Sequence, residues 1–141
     1  MRRNPALLAI GLSLAIALPA TLGCGDSSKG TGPGSQLVGS WNATSFQVPG
    51  TDLIADGMSL TMTFTSGGSY TLQFTNAPAG TFCQAGTNCT ESGSFTSTAS
   101  TLTFDPGTVD ETTFNYVIQG TTVTVTGVIE GDQVTIVLEK V

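Results

Sequence analysis

The chain has no histidine, and of its 141 residues only four are basic against ten acidic ones. Two of the four, Arg2 and Arg3, stand at the extreme N-terminus, leaving Lys29 and Lys140 for everything beyond. Without histidine, Ser-His-Asp and Cys-His catalytic arrangements are excluded, and no arginine clamp exists past residue 3. From Cys24 onward, two lysines face ten carboxylates, a net charge of −8. A surface of that sign repels phosphate backbones, which argues against nucleic-acid partners. Long apolar runs are missing too. The most hydrophobic stretch, residues 6–18, is shorter than the roughly 20 residues a transmembrane helix needs.

That stretch instead has the anatomy of an export signal: a basic Met1-Arg2-Arg3 start, an apolar segment, and Pro19 to end any helix. Thr21-Leu22-Gly23-Cys24 follows and resembles the lipobox of bacterial lipoproteins, with the usual leucine replaced by Thr21. The resemblance implies that Cys24 is lipidated and becomes the mature N-terminus. The alternative is ordinary cleavage after Ala20, which would leave Cys24 as a free thiol. Cysteine arithmetic favours the first reading, because three cysteines are an odd number in an exported chain and removing Cys24 leaves Cys83 and Cys89 as an even pair. The expected organisation is therefore a signal peptide (1–23), a lipid-anchored cysteine with a Gly/Ser linker (24–35), and one domain (36–141). Residues 25–35 carry no apolar side chain larger than proline, so they read as a tether reaching roughly 20 Å. The expected location is the bacterial cell envelope, at the periplasmic face or the cell surface, with the membrane as a partner through the anchor.

From Leu37 onward the sequence alternates apolar residues with threonine and serine, the period of strands with one wet face. Met58, Leu60, Met62 and Phe64 form one such row, and Tyr70, Leu72 and Phe74 answer it across a Ser-Gly-Gly-Ser turn. Phe95, then Leu102 with Phe104, then Phe114, Tyr116 and Ile118 mark the next three strands. Val123 with Val125, and Val134, Ile136 and Leu138, mark the last two. With the Trp41 segment there are eight. No helical pattern of useful length exists to cover an apolar sheet face, so the sheet must close on itself or stack. Short sequential connections predict an eight-stranded antiparallel up-and-down barrel, with a β-sandwich as the alternative.

Leu37-Val38-Gly39-Ser40-Trp41 resembles the Gly-x-Trp signature on the first strand of lipocalins, and the region as a whole is similar to small lipocalin-like domains of bacterial lipoproteins. The family's Thr-Asp-Tyr motif is absent, and so is the late arginine that packs over its tryptophan. Lys140 has the parity of Leu138 and lies at the end of the last strand, so its ammonium is the candidate cover for Trp41, worth about 0.5 to 2 kcal/mol, the alternative being a frayed terminal charge in water. The resemblance implies an interior that takes a small hydrophobic ligand, lined by Met58, Leu60, Met62, Phe64, Tyr70, Leu72, Phe74, Phe114 and Tyr116. The same nine residues equally describe a filled core, in which case the domain is a structural or protein-interaction module.

Two loops exceed a turn in length. Residues 47–57 follow the first strand, where Leu53 and Ile54 either cover a ligand mouth or plug the barrel end. Residues 76–88 lead to Cys89, and a Cys83–Cys89 disulfide there is expected to stabilise by about 2.4 kcal/mol. Two cysteines without histidine make no zinc site. Asp105, Asp110 and Glu111 share a loop and are the conceivable ligands of a calcium ion, although their spacing matches no known calcium loop and solvated turns are the simpler reading. Since the inward positions are all apolar, no paired carboxylates face each other for acid-base work. The expectation is no enzyme, no cofactor and no metal. Oligomeric state has no signal in the sequence.

Overall fold

The computed structural model describes residues 33–141, so the proposed signal segment, Cys24 and most of the linker lie outside the described residues. A short 3-10 turn, Pro33–Gln36, opens the described chain and takes in the last residues of the expected linker. Nine strands follow: β1 Gly39–Val48, β2 Thr51–Asp52, β3 Ser59–Phe64, β4 Ser69–Thr75 and β5 Cys89–Ser97, then β6 Thr101–Phe104, β7 Thr112–Gln119, β8 Thr122–Ile129 and β9 Asp132–Lys140. Each long strand pairs antiparallel with the next, and β1 pairs with β9 from Trp41↔Lys140 to Gln47↔Thr135. That last ladder closes the sheet into an eight-stranded barrel and rules out the sandwich. The extra strand, β2, folds back on the end of β1 inside the 47–57 loop.

The period-two pattern does what its chemistry requires. In β3, Leu60, Met62 and Phe64 are buried while Ser59, Thr61 and Thr63 face outward; β9 repeats this with Val134, Ile136 and Leu138. Burying each such side chain contributes about 1.5–3 kcal/mol. The outer wall is then laced by threonine and serine pairs, among them Ser40 with Thr63 and Thr103 with Thr113. The β8–β9 connection is a two-residue turn in which Glu130 and Gly131 both have positive φ (52° and 96°), the primed geometry that matches strand twist.

One irregularity changes which residues face inward. The β1–β9 register slips between Ala43 and Ser45, so Thr44 is an extra residue whose hydroxyl donates to the Val137 carbonyl. Such a bulge inverts the parity of the strand beyond it. Trp41 and Phe46, an odd and an even position, are therefore both buried at about 1 % exposure.

The two ends differ. At one, the connections are the tight β3–β4, β5–β6 and β7–β8 turns, together with the 3-10 turn. At the other, the longer β1–β3, β4–β5 and β6–β7 connections gather around the β8–β9 turn. The wall is also notched there. β5 pairs with β6 only from Phe95 to Ser97, and residues 89–93 have no ladder partner on that flank among the described strands.

Candidate functional site

The closed end is built around Trp41. Its indole N–H donates to the Leu37 carbonyl at 2.7 Å, and the Lys140 ammonium lies 5.1 Å from the ring centroid, inside cation–π range. Gly39 makes this possible. Its φ is 128°, and a Cβ there would sit 3.3 Å from Lys140 Cε, in the path of the side chain that reaches the tryptophan. Leu37, Val123 and Leu138 are buried with no exposure at all. Tyr116 points its hydroxyl to the Thr98 carbonyl at 2.7 Å, and Phe64 meets Phe95 edge-on at 5.0 Å.

Toward the open end a recess enters the barrel, bordered by the fully exposed Val109 outside and by the buried Phe46, Leu60, Val125 and Ile136 within. A cavity of about 800 Å³ occupies the upper barrel, within the range of small-molecule sites. Six of the nine expected interior residues line it: Leu60, Met62, Tyr70, Leu72, Phe74 and Phe114. Met58, Phe64 and Tyr116 are buried but lie outside its lining and act as core. The wall also contains residues the expected set lacked, chiefly Phe46, Phe82, Leu102, Phe104, Val125 and Ile136. Phe46 was hidden by the bulge; an aromatic of the wrong parity on the tryptophan's own strand was its only signal.

Phe82 had no strand pattern to reveal it, and the disulfide is what places it. Cys83 and Cys89 are bonded, with Cα atoms 5.6 Å apart, and they tie the 76–88 loop to the start of β5. Phe82, next to Cys83, thereby lies stacked on Phe74 at 5.3 Å and tilted against Phe46 at 5.2 Å. The half-buried ring is a partial roof over the cavity. Across the mouth, the 47–57 connection turns inward rather than over. Asp52 accepts hydrogen bonds from the Ser45 hydroxyl, the Phe46, Ile54 and Ala55 amides and the Gln47 side chain. These bonds, the Ser45 hydroxyl first, lower its pKa to about 2. With that turn pinned, Leu53 is buried and is no part of the cavity lining: it plugs the end.

Two of the three carboxylates considered for calcium, Asp105 and Glu111, are engaged otherwise. Asp105 accepts the Tyr70 hydroxyl at 2.6 Å and the Ser94 amide at 3.0 Å, while Glu111 accepts the Gly107 amide at 2.6 Å. Among the described residues no three His, Cys, Asp or Glu side chains converge as a metal site. Gly93 explains how Asp105 and Tyr70 meet, since a Cβ there would collide with both. Burial raises the Tyr70 pKa above its usual value, and the bond to Asp105 and the charges of Asp105, Glu91 and Asp110 raise it further. Besides Asp105, Glu111, Glu91 and Asp110, one more acid, Glu130, borders the cavity. The chain matches no protein-family model and no curated protein.

Proposed function

We propose that this chain is a lipid-anchored protein of the bacterial envelope whose barrel binds a small hydrophobic molecule, without catalysing a reaction. The cavity carries the reading: about 800 Å³, open at one end, with apolar and aromatic side chains in its depth and polar ones at its border. That space supports the binding reading over a filled barrel, because packed interiors leave few voids larger than a water molecule. The envelope address rests on the basic start, the apolar run and the lipobox-like Thr21-Leu22-Gly23-Cys24.

The test uses the full chain and the neutral fluorescent probe N-phenyl-1-naphthylamine. Saturable binding is expected, with one site per chain, and Leu72→Trp should weaken it at least about tenfold while leaving the far-ultraviolet circular dichroism unchanged. Leu72 suits this because it is only half-buried and borders the cavity, so a larger ring enters empty space instead of a packed core. No saturable binding, or binding indifferent to Leu72→Trp, would return the domain to the filled-module alternative. Incorporation of labelled palmitate, abolished by Cys24→Ala, checks the anchor separately.

A further inference from the structure

We infer that the molecule this cavity accepts is a cationic amphiphile: an apolar body that fills the barrel, with a protonated amine or quaternary ammonium left at the mouth. The inference rests on the cavity reading above and adds the charge of the ligand to it.

The cavity is two-toned. Its depth is hydrocarbon and aromatic ring, whereas five carboxylates border it: Glu91, Asp105, Asp110, Glu111 and Glu130. They come from three separate places, namely β5, the β6–β7 connection and the β8–β9 turn, so the chain brings them together only by folding. Nothing of opposite sign accompanies them. Residues 33–141 contain one basic side chain, Lys140, and it is committed to Trp41 at the other end of the barrel.

The five are not equivalent. Asp105 and Glu111 accept hydrogen bonds from Tyr70, Ser94 and Gly107, so they shape the rim. Glu91, Asp110 and Glu130 accept no side-chain or backbone hydrogen bond and form no ion pair within the described residues, which leaves their oxygens open to a ligand. Two of them, Glu91 and Asp110, reach Tyr70. Tyr70 borders the cavity, and the charges of Glu91 and Asp110 act on its hydroxyl in addition to Asp105. A cleft of one sign over low-dielectric walls focuses its field and concentrates ligands of the opposite charge. A fatty-acid anion would gain the burial of its tail and lose by repulsion at the rim. A neutral molecule gains burial alone, and an alkylammonium gains both.

The experiment displaces N-phenyl-1-naphthylamine from the full chain with decylamine, decanol and decanoate. These share one chain length and differ in charge, and each is used below its micelle-forming concentration. Decylamine should displace at the lowest concentration and decanoate at the highest, with a gap of at least about tenfold, or 1.4 kcal/mol. The gap should narrow as salt is added, because rim charges are solvent-screened. In the variant Glu91→Gln/Asp110→Asn/Glu130→Gln, the amine and the carboxylate should converge while the neutral probe still binds, which also shows that the variant is folded. Decanoate binding as tightly as decylamine, or a gap that survives the triple substitution, would overturn the inference and leave the cavity reading standing. Failure of the probe and of decanol to bind the unmodified chain would remove both.

Discussion

The two ends of the barrel are made from the same strands with the same alternation, yet one is sealed and the other is hollow. At the sealed end, Trp41 donates to the Leu37 carbonyl and lies under Lys140, and Leu37, Val123 and Leu138 are buried without exposure. At the hollow end, bulky rings gather as well, with Phe82 stacked on Phe74 and tilted against Phe46, and Phe104 edge-on to Tyr70 and Phe114. The difference lies in the connections. Tight turns draw strand ends together, whereas longer connections and the unpaired flank of β5 let the wall splay. Alternation makes a barrel; what joins the strands decides where it is empty.

Substitutions at each end sharpen that contrast. Trp41→Ala should cost the most, about 3–5 kcal/mol in urea unfolding, because it deletes the largest fully buried side chain where nothing can collapse into the space. Phe82→Ala, a half-buried ring at the hollow end, should cost less than half as much, and equal losses would erase the distinction between the ends. Next in size is the disulfide: Cys83→Ser with Cys89→Ser should lower stability by about 2 kcal/mol. The same pair should also weaken binding of the neutral probe, since the bridge seats Phe82. Lys140→Met keeps the aliphatic stem and removes the charge, so about 0.5–1 kcal/mol should be lost at this exposed position, with a shift in Trp41 fluorescence.

The smallest effect is pH-dependent. Asp52 titrates at about 2 in the folded chain, below the unfolded value near ~3.9, so its contribution is complete at neutral pH and disappears as the pH falls from about 4 to 2. Its carboxylate faces water, and screening holds the expected loss in Asp52→Asn to about 0.5 kcal/mol. Unfolding midpoints of the two proteins should differ at pH 7 and converge near pH 2. A difference that persists there would mean that the turn, not the charge, matters.

The fold was legible because every strand after β2 advertises itself by period two, and the Trp41 strand by its place opposite Lys140 at the closing seam. β2 was not, since Thr51 and Asp52 have no alternation to show and are held by the Asp52 hydrogen bonds instead. Six cavity residues could be read from strand parity. Phe46 could not, because the bulge at Thr44 inverts the parity on which such reading depends. Phe82 lies in a loop and becomes a roof only through a covalent bond. The acidic rim is the clearest case: Glu91, Asp110 and Glu130 look like ordinary turn and edge residues in the sequence, and only the closed barrel brings them to one opening.

The 3-10 turn at Pro33–Gln36 gives the molecule a direction. Leu37, directly after it, is fully buried beside Trp41, so the chain enters the barrel through the sealed end. Under the anchoring proposed above, the upstream segment would join the domain at its sealed end, opposite the mouth. A tether of roughly 20 Å reaching that end would leave the mouth unobstructed by the proposed attachment.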